Sequence, residues 1–325
     1  MCDEEYRAKA TGNGTAAPPL LSQWTCELEG CGGAFVSSVI ESVRATPRLD
    51  SLRAMVPCDL WTAIGNRTLW FFGDSQGQRF YRQARCFLRP FHDPPGQPLG
   101  QLFTEDPNYQ QLIHRELLAG YDCCGVAQPM CTNLVGGGRI CHFRVNKGWH
   151  MLQLLQRLHV LNVQKHDVID FNVGLWHHMK DNNYTQLVQA LADHVAANRA
   201  SLPHLLWRDN SPQHFDIEHG EFPHPSEAGK LMSPFKGCKP FKNVTLQPDG
   251  SLSGGDGHVA AGGWRNKIST PIMQAAGVPI HYTWNNTAMM HDGHTAGECS
   301  HWCSPGAYSV SVWSLWRTIL KHAEG

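Results

Sequence analysis

A Gly73-Asp74-Ser75 tripeptide stands where the apolar run Leu69-Trp70-Phe71-Phe72 gives way to a helical pattern. Glycine permits a tight turn there, and a turn into a helix leaves backbone N–H groups without partners. A serine so placed can attack a carbonyl while those N–H groups hold the developing oxyanion. Asp74 or Ser75 can equally be a plain helix cap, and three residues alone leave both readings open. Near the C-terminus stand Asp292-Gly293-His294 and Glu298-Cys299-Ser300-His301-Trp302-Cys303. A histidine three residues after a carboxylate can face a serine on one side and be oriented by the acid on the other. If Cys299 and Cys303 are both in disulfides, they fix the His301 loop. His291, His294, Cys299, His301 and Cys303 also offer donors for zinc, but their spacing matches no zinc-finger pattern, and no metal is expected.

Two further segments belong to the same set. Asp170-Phe171-Asn172-Val173-Gly174-Leu175-Trp176-His177-His178 places Asn172, a side-chain donor, and Gly174, a backbone donor, at a strand end. The alternative there is a simple turn with two surface histidines. Trp207-Arg208-Asp209-Asn210-Ser211-Pro212-Gln213-His214-Phe215 follows another short apolar run. Arg208 and His214 can touch a substrate, and a buried polar network shaping the floor of the site is the stronger expectation. Of the 11 tryptophans, some can stack on sugar rings, while most are expected in the core.

The elements that must position these residues read as strand then helix, repeated. Strands are expected at Leu69–Phe72, Val168–Val173, Leu205–Trp207 and Val278–Tyr282. Apolar residues at helical spacing follow: Phe80, Ala84, Phe87 and Leu88; Leu152, Leu155 and Leu158; Leu187, Val188, Leu191 and Val195; and Val312, Leu315, Trp316 and Ile319. Such alternation implies a mainly parallel sheet with helices on both faces, a three-layer α/β/α fold. In that architecture functional residues gather beyond the carboxyl ends of the strands.

The 325 residues are 42% apolar, enough for a sizeable core. A net charge of -1 without a basic stripe argues against nucleic acid or an anionic membrane as partner. No apolar run reaches the roughly 18 residues of a spanning helix. Residues 1–22, with Thr11-Gly12-Asn13-Gly14-Thr15-Ala16-Ala17-Pro18-Pro19, read as a flexible stalk or linker. Residues 23–325 read as one catalytic domain, in which 23–65 is a lead-in stapled through Cys26, Cys31 and Cys58. The 12 cysteines, an even number, point to an oxidising compartment. So do the sequons at Asn13, Asn66, Asn183, Asn243 and Asn285, which are N-glycosylation candidates. Met1–Pro19 has no signal-peptide core, so any targeting or membrane segment is expected to be missing from this chain.

Four blocks occur together and in order: Phe72-Gly73-Asp74-Ser75, Asn172-Val173-Gly174, Ser211-Pro212-Gln213-His214-Phe215, and Asp292-Gly293-His294 followed by Cys299-Ser300-His301-Trp302-Cys303. Together they resemble the PC-esterase group, which includes the plant trichome birefringence-like polysaccharide O-acetyltransferases and the sialic-acid O-acetyltransferase catalytic domain. The resemblance spans residues 58–320. It implies a disulfide-stapled fold like that of the SGNH hydrolases and acyl transfer to or from glycan hydroxyls in the Golgi lumen or outside the cell. Carried over, Ser75 is the nucleophile, His301 its base, and the Ser75 amide, Asn172 and Gly174 form the oxyanion hole. The family has Asp three residues before the histidine, where this chain has Glu298. Asp292 is the alternative acid, and a Ser75–His301 dyad the third possibility. No bound cofactor is implied beyond an acyl donor, such as acetyl-CoA or an acetylated intermediate, if the protein is a transferase. The rival functions are a carbohydrate O-acetylesterase and a non-catalytic glycan-binding protein of the same fold.

Overall fold

The computed structural model describes Cys2, Leu52 and residues 54–97, 106–118, 129–178, 183–216, 220–222, 237–247, 249, 251–255, 257–295, 297–304 and 306–323. The expected stalk, apart from Cys2, and much of the stapled lead-in lie outside the described residues.

The chain order is α1 (Pro57–Ile64), β1 (Thr68–Gly73), α2 (Ser75–Phe87), α3 (Pro107–Ile113), β2 (Met130–Asn133), β3 (Arg139–Arg144), α4 (Gly148–Gln156), β4 (Val168–Phe171), α5 (Tyr184–Asn198) and β5 (His204–Arg208). It continues with β6 (Val244–Leu246), β7 (Leu252–Gly254), α6 (Gly257–Ala260), α7 (Gly263–Ala275), β8 (Ile280–His281), α8 (Trp284–Thr287) and α9 (Ala307–His322). Six strands form one sheet in the order β2-β3-β1-β4-β5-β8, and β6 and β7 form a separate ribbon. β1 pairs in parallel with β3 and β4, β4 with β5, and β5 with β8, while β2 runs antiparallel at one edge.

The strand β1 is buried on both faces because both faces carry helices. Phe71 belongs to an apolar cluster with Leu60 of α1, Phe80 and Phe87 of α2, and Tyr308 and Leu315 of α9. Trp70 and Phe72 belong to another, with Met151 of α4, Leu187 and Leu191 of α5, and Met273 of α7. Alternate side chains of one strand thus enter opposite layers, and a continuous apolar run is what such a strand requires. The protein is a three-layer α/β/α structure with a mainly parallel sheet and disulfide staples. Because β1, β3, β4 and β5 are parallel, the residues that follow Gly73, Arg144, Phe171 and Arg208 share one rim.

Two expected strands need correction, and one strand beside β1 is additional. β4 ends at Phe171, short of Val173, although the Asn172 N–H still donates to the Phe72 carbonyl of the neighbouring strand at 3.1 Å. β8 covers two residues of the expected Val278–Tyr282 run. Pro279 has no N–H to give and serves only as acceptor for Trp207 N at 2.9 Å, and Tyr282 is exposed. β3, a neighbour of β1, was not expected at all. Its charged ends and buried His142 interrupt the apolar signature.

Every described cysteine is disulfide-bonded: Cys2, Cys58, Cys86, Cys131, Cys141, Cys238, Cys299 and Cys303. The pairs Cys2–Cys58, Cys131–Cys141 and Cys238–Cys299 are formed among them. The partners of Cys86 and Cys303 lie outside the described residues. Such oxidation fits an oxidising compartment. Among the described residues, no helix is long and apolar enough to cross a membrane. Non-reducing peptide mapping should therefore recover Cys238 joined to Cys299, and Cys299 never joined to Cys303. Replacing Cys238 and Cys299 together by Ser should lower stability by about 2–5 kcal/mol in urea titration. A Cys299–Cys303 peptide would overturn the pairing.

Candidate active site

Gly73 closes β1, and Asp74 caps α2 by accepting the Gln76 N–H at 2.9 Å. The capping role therefore falls to Asp74, and the Ser75 hydroxyl is left for other partners. Ser75 is half-buried between fully buried Asp74 and Gln76. Burial pushes the Asp74 carboxyl up, against the Gln76 hydrogen bond and the charges of Arg208 and His301. Gly73 is needed for space: a Cβ there would lie 2.9 Å from Arg208 Nη2 and 3.2 Å from the Asn172 carbonyl oxygen.

The His301 imidazole completes the arrangement. Its Nε2 lies 2.7 Å from Ser75 Oγ, and its Nδ1 lies 2.7 Å from Glu298 Oε1. Glu298 Oε1 also accepts the His301 N–H at 2.9 Å and the Thr295 hydroxyl at 2.8 Å, and Oε2 accepts the Ser300 N–H at 3.0 Å. Burial alone would raise this carboxyl, but the His301 hydrogen bond and charge, with the Thr295 and Ser300 donors, hold it below its ordinary value. Asp292 lies exposed on a short turn at His291–Gly293. Glu298, not Asp292, is the carboxylate bonded to His301. With Nδ1 held by an acid, Nε2 can take the serine proton, and the carboxylate can steady the resulting imidazolium.

The loop carrying His301 has little regular structure, so its position comes from its neighbours. The disulfide to Cys238 fixes Cys299, and the His214 N–H donates to the Cys299 carbonyl at 3.1 Å. Gln213 donates to Ser300 Oγ at 2.5 Å, and Gln76 donates to the Ser300 carbonyl. Gln76 is itself set by the Tyr308 hydroxyl, which donates to Gln76 Oε1 at 2.9 Å. Behind these, His214 Nδ1 lies 2.7 Å from His294 Nε2, and His294 Nδ1 lies 3.1 Å from the His301 carbonyl. Burial pushes His214 down to about 3, helped by the charges of His294 and His291, and His294 down to about 4, helped by those of His301 and His291.

Beneath the turn lies a buried charge network. Arg208 Nη1 contacts Asp170 Oδ2 at 2.5 Å. Asp170 Oδ1 lies 3.0 Å from His281 Nδ1, and His281 Nε2 meets the Ser311 carbonyl at 2.9 Å. Arg208 and His214 are 1% and 0% exposed, so both shape the site from within. Asn172 spends one side-chain N–H on the Arg208 carbonyl at 2.6 Å and has a second to give. Gly174 fits where no side chain can, because a Cβ would meet Asn210 Oδ1 at 1.9 Å. The backbone N–H groups of Ser75 and Gly174 have no partner among the described residues. Sequence reasoning missed Gln76, Tyr308, Asp170 and His281. For the last two a signal existed: a single ionisable residue inside an apolar strand has to be paired.

Cys299 and Cys303 are in disulfides, so neither can serve as a thiolate ligand. Among the described residues no cluster of His, Cys, Asp or Glu is arranged to hold a metal ion. Of the sequon asparagines, Asn66 and Asn243 are exposed, Asn183 and Asn285 are half-buried, and Asn13 lies outside the described residues.

No protein-family model matches the chain. No curated protein matches it. Among solved structures it is similar to Axe2, an acetylxylan esterase from Geobacillus stearothermophilus, at 11% identity and a TM-score of 0.39, over 79% of this chain and 96% of that one. It is similar also to a catalytic mutant of that esterase, at 10% identity and a TM-score of 0.37, over 78% of this chain and 94% of that one. Likeness this slight transfers neither fold nor activity, and the fold rests on the strand order and pairing of the sheet.

The electrostatics of the site lead to two expected outcomes. Unfolded histidines titrate near 6.5, while His214 and His294 stay neutral to about 3 and about 4. The unfolded chain therefore binds more protons between about pH 6.5 and pH 4, and stability should fall as pH drops through that window. His214→Asn should flatten the slope, as read by urea midpoints at stepped pH. Separately, Glu298→Gln should lower turnover by about 10⁴-fold through loss of the correct tautomer, and Asp292→Asn should change it little. The reverse ranking would reassign the acid to Asp292.

Proposed function

We propose that the protein transfers an acyl group, most simply acetyl, to or from glycan hydroxyls through a Ser75 acyl-enzyme, and that it works as a glycan or polysaccharide O-acetyltransferase. The observation that carries this reading is the file of contacts from Ser75 Oγ to His301 Nε2 and from His301 Nδ1 to Glu298, each 2.7 Å, at the carboxyl rim of the sheet. His301 takes the Ser75 proton while Oγ bonds to the acyl carbon. The carbonyl electron pair moves onto oxygen, where the Ser75 and Gly174 N–H groups and the second Asn172 N–H stand ready as donors. Collapse expels the donor's leaving group, which takes the proton from His301. A sugar hydroxyl then attacks the acyl-enzyme by the same steps in reverse order.

Water in place of the sugar makes the same site a carbohydrate O-acetylesterase. The transferase reading rests on the four-block resemblance and implies an acyl donor such as acetyl-CoA or an acetylated intermediate, and a Golgi-lumenal or extracellular setting. The bonding of Glu298 to His301 speaks against the third reading, a glycan-binding protein that lost its chemistry at that position.

A fluorophosphonate probe should label Ser75, and Ser75→Ala should abolish both labelling and turnover with an unchanged circular dichroism spectrum. Full activity in folded Ser75→Ala would end the acyl-enzyme mechanism. Asn172→Ala should lower kcat by about 10²–10³-fold with KM nearly constant, as expected when one oxyanion donor is removed. A change confined to KM would make Asn172 a substrate or structural contact. Incubation with an acetylated donor and glycan acceptors, read by mass spectrometry, should yield acetylated glycan. Free acetate as the sole product would make the protein an esterase.

A further inference from the structure

Ten of the 11 tryptophans lie among the described residues, and only Trp149 and Trp176 stand among the exposed large apolar side chains, at 46% and 39%. Their placement is specific. Trp149 opens α4 after β3, and Trp176 follows β4 just beyond Gly174. β3 and β4 are the two parallel neighbours of β1, whose end leads into Ser75. Both tryptophans therefore belong to the segments that leave the rim carrying Ser75, just after the two strands that flank β1.

The two segments are bonded to each other. Gly148 N–H, next to Trp149, donates to Nε2 of His177, next to Trp176, at 3.2 Å. The Trp176 turn is closed by His177 N–H donating to the Gly174 carbonyl at 2.8 Å. Buried Arg265 clamps it from below, giving 2.8 Å hydrogen bonds to the carbonyls of Gly174 and His177. Glu221 lies 3.3 Å from Arg265 and balances its charge. Gly148 is seated so tightly on α5 that a Cβ there would meet Leu187 at 2.1 Å. Two large aromatic side chains are thus exposed on segments pinned by buried hydrogen bonds.

We infer that Trp149 and Trp176 form a binding platform for the pyranose rings of the glycan whose hydroxyl faces Ser75. An indole offers an apolar face to the C–H face of a sugar ring and an N–H to its hydroxyls. Held rigid beforehand, it loses little entropy when the glycan docks. A platform near Ser75 would hold rings next to the modified one and so favour oligomers over single sugars. This inference rests on the acyl-transfer reading of Ser75 only for the identity of the ligand.

The test keeps the two apart. Folded Ser75→Ala protein is screened on an array of neutral and acidic oligosaccharides, with Trp149→Ala and Trp176→Ala added singly and together. Oligosaccharide binding should appear, strengthen with chain length, and weaken at least about tenfold with each tryptophan removed, as for a buried aromatic anchor. Trp176→Phe should recover part of the loss. In the Ser75 protein, the ratio of kcat/KM on an acetylated oligosaccharide to that on p-nitrophenyl acetate should fall by a similar factor in each Ala variant. Absence of oligosaccharide binding, or binding and ratio indifferent to both tryptophans, overturns the platform while leaving Ser75 chemistry intact. Tryptophan-dependent binding with no fluorophosphonate reaction at Ser75 upholds the platform and defeats the acyl-transfer reading.

Discussion

Arg208 carries a positive charge into the interior directly beneath the Ser75 turn, and Asp170 makes that burial tolerable. An isolated buried ion is costly, and close pairing with an opposite charge offsets much of the loss of water. Asp170 gives one oxygen to Arg208 and the other to His281. Burial pushes its carboxyl up, but the Arg208 and His281 charges outweigh that and hold it down. His281 passes the connection to the Ser311 carbonyl of α9, so β4, β5, β8 and the C-terminal helix meet at one set of charges. The guanidinium lies 4.6 Å from the centre of the Phe80 ring and occupies the space that side chains at Gly73 and Gly77 would need. The Arg208 carbonyl, fixed by the same strand, takes the Asn172 amide. The turn, the candidate oxyanion donor and the last helix are therefore located by one ion pair.

The other half of the site has no sheet to rest on. Ser75 and His301 lie far apart in sequence, and among the described residues the His301 loop contributes only an isolated bridge between His294 and Trp302. Ordering such a loop costs conformational entropy, and many separate contacts offset that cost. The most informative is Gln76. It sits beside Ser75 on α2 and holds the carbonyl of Ser300, the residue before His301. The helix that carries Ser75 thereby grips the loop that carries His301, and the distance between the two side chains is set locally. Cys238, Gln213 and His214 hold the loop from the opposite side.

What the sequence made legible follows the physics of each element. Leu69-Trp70-Phe71-Phe72 reads as a strand because a doubly covered parallel strand must be apolar on both faces. The helical faces at Phe80 and at Leu187 were readable for the matching reason. Ser75 and the Glu298-His301 pair were legible because residue types at short spacing state their chemistry, although neither block was decisive without the other. β3 was not legible: His142 lies between apolar neighbours, and Arg139 and Arg144 end the strand, so local pattern conflicts with its central place. The roles of Gln76, Tyr308 and His281 were hidden because each depends on a contact between residues remote in sequence. Disulfide bonding of Cys299 and Cys303 was expected from cysteine usage, whereas the pairing of Cys299 with Cys238 is a fact of three dimensions.

Glu298 shows how an acid one methylene longer than aspartate can still meet an imidazole three residues on. The orienting acid must present one oxygen to Nδ1 of the imidazole, and the residue type matters only through where that oxygen sits. A glutamate carboxylate stands about 1.5 Å, roughly one carbon–carbon bond, farther from the backbone than that of an aspartate. Here the extra length is folded back on the chain itself. Oε1 and Oε2 accept the backbone N–H groups of His301 and Ser300, so the side chain caps the turn whose last residue is the histidine it orients. Gly297, at a φ of +88°, takes the left-handed conformation that starts this turn at little cost. The Thr295 hydroxyl fixes the same oxygen from a further side. A carboxylate with that many donors has little freedom, and the imidazole it holds has correspondingly little. The longer acid is accommodated because the backbone around it closes onto it, and the contact with Nδ1 remains at 2.7 Å.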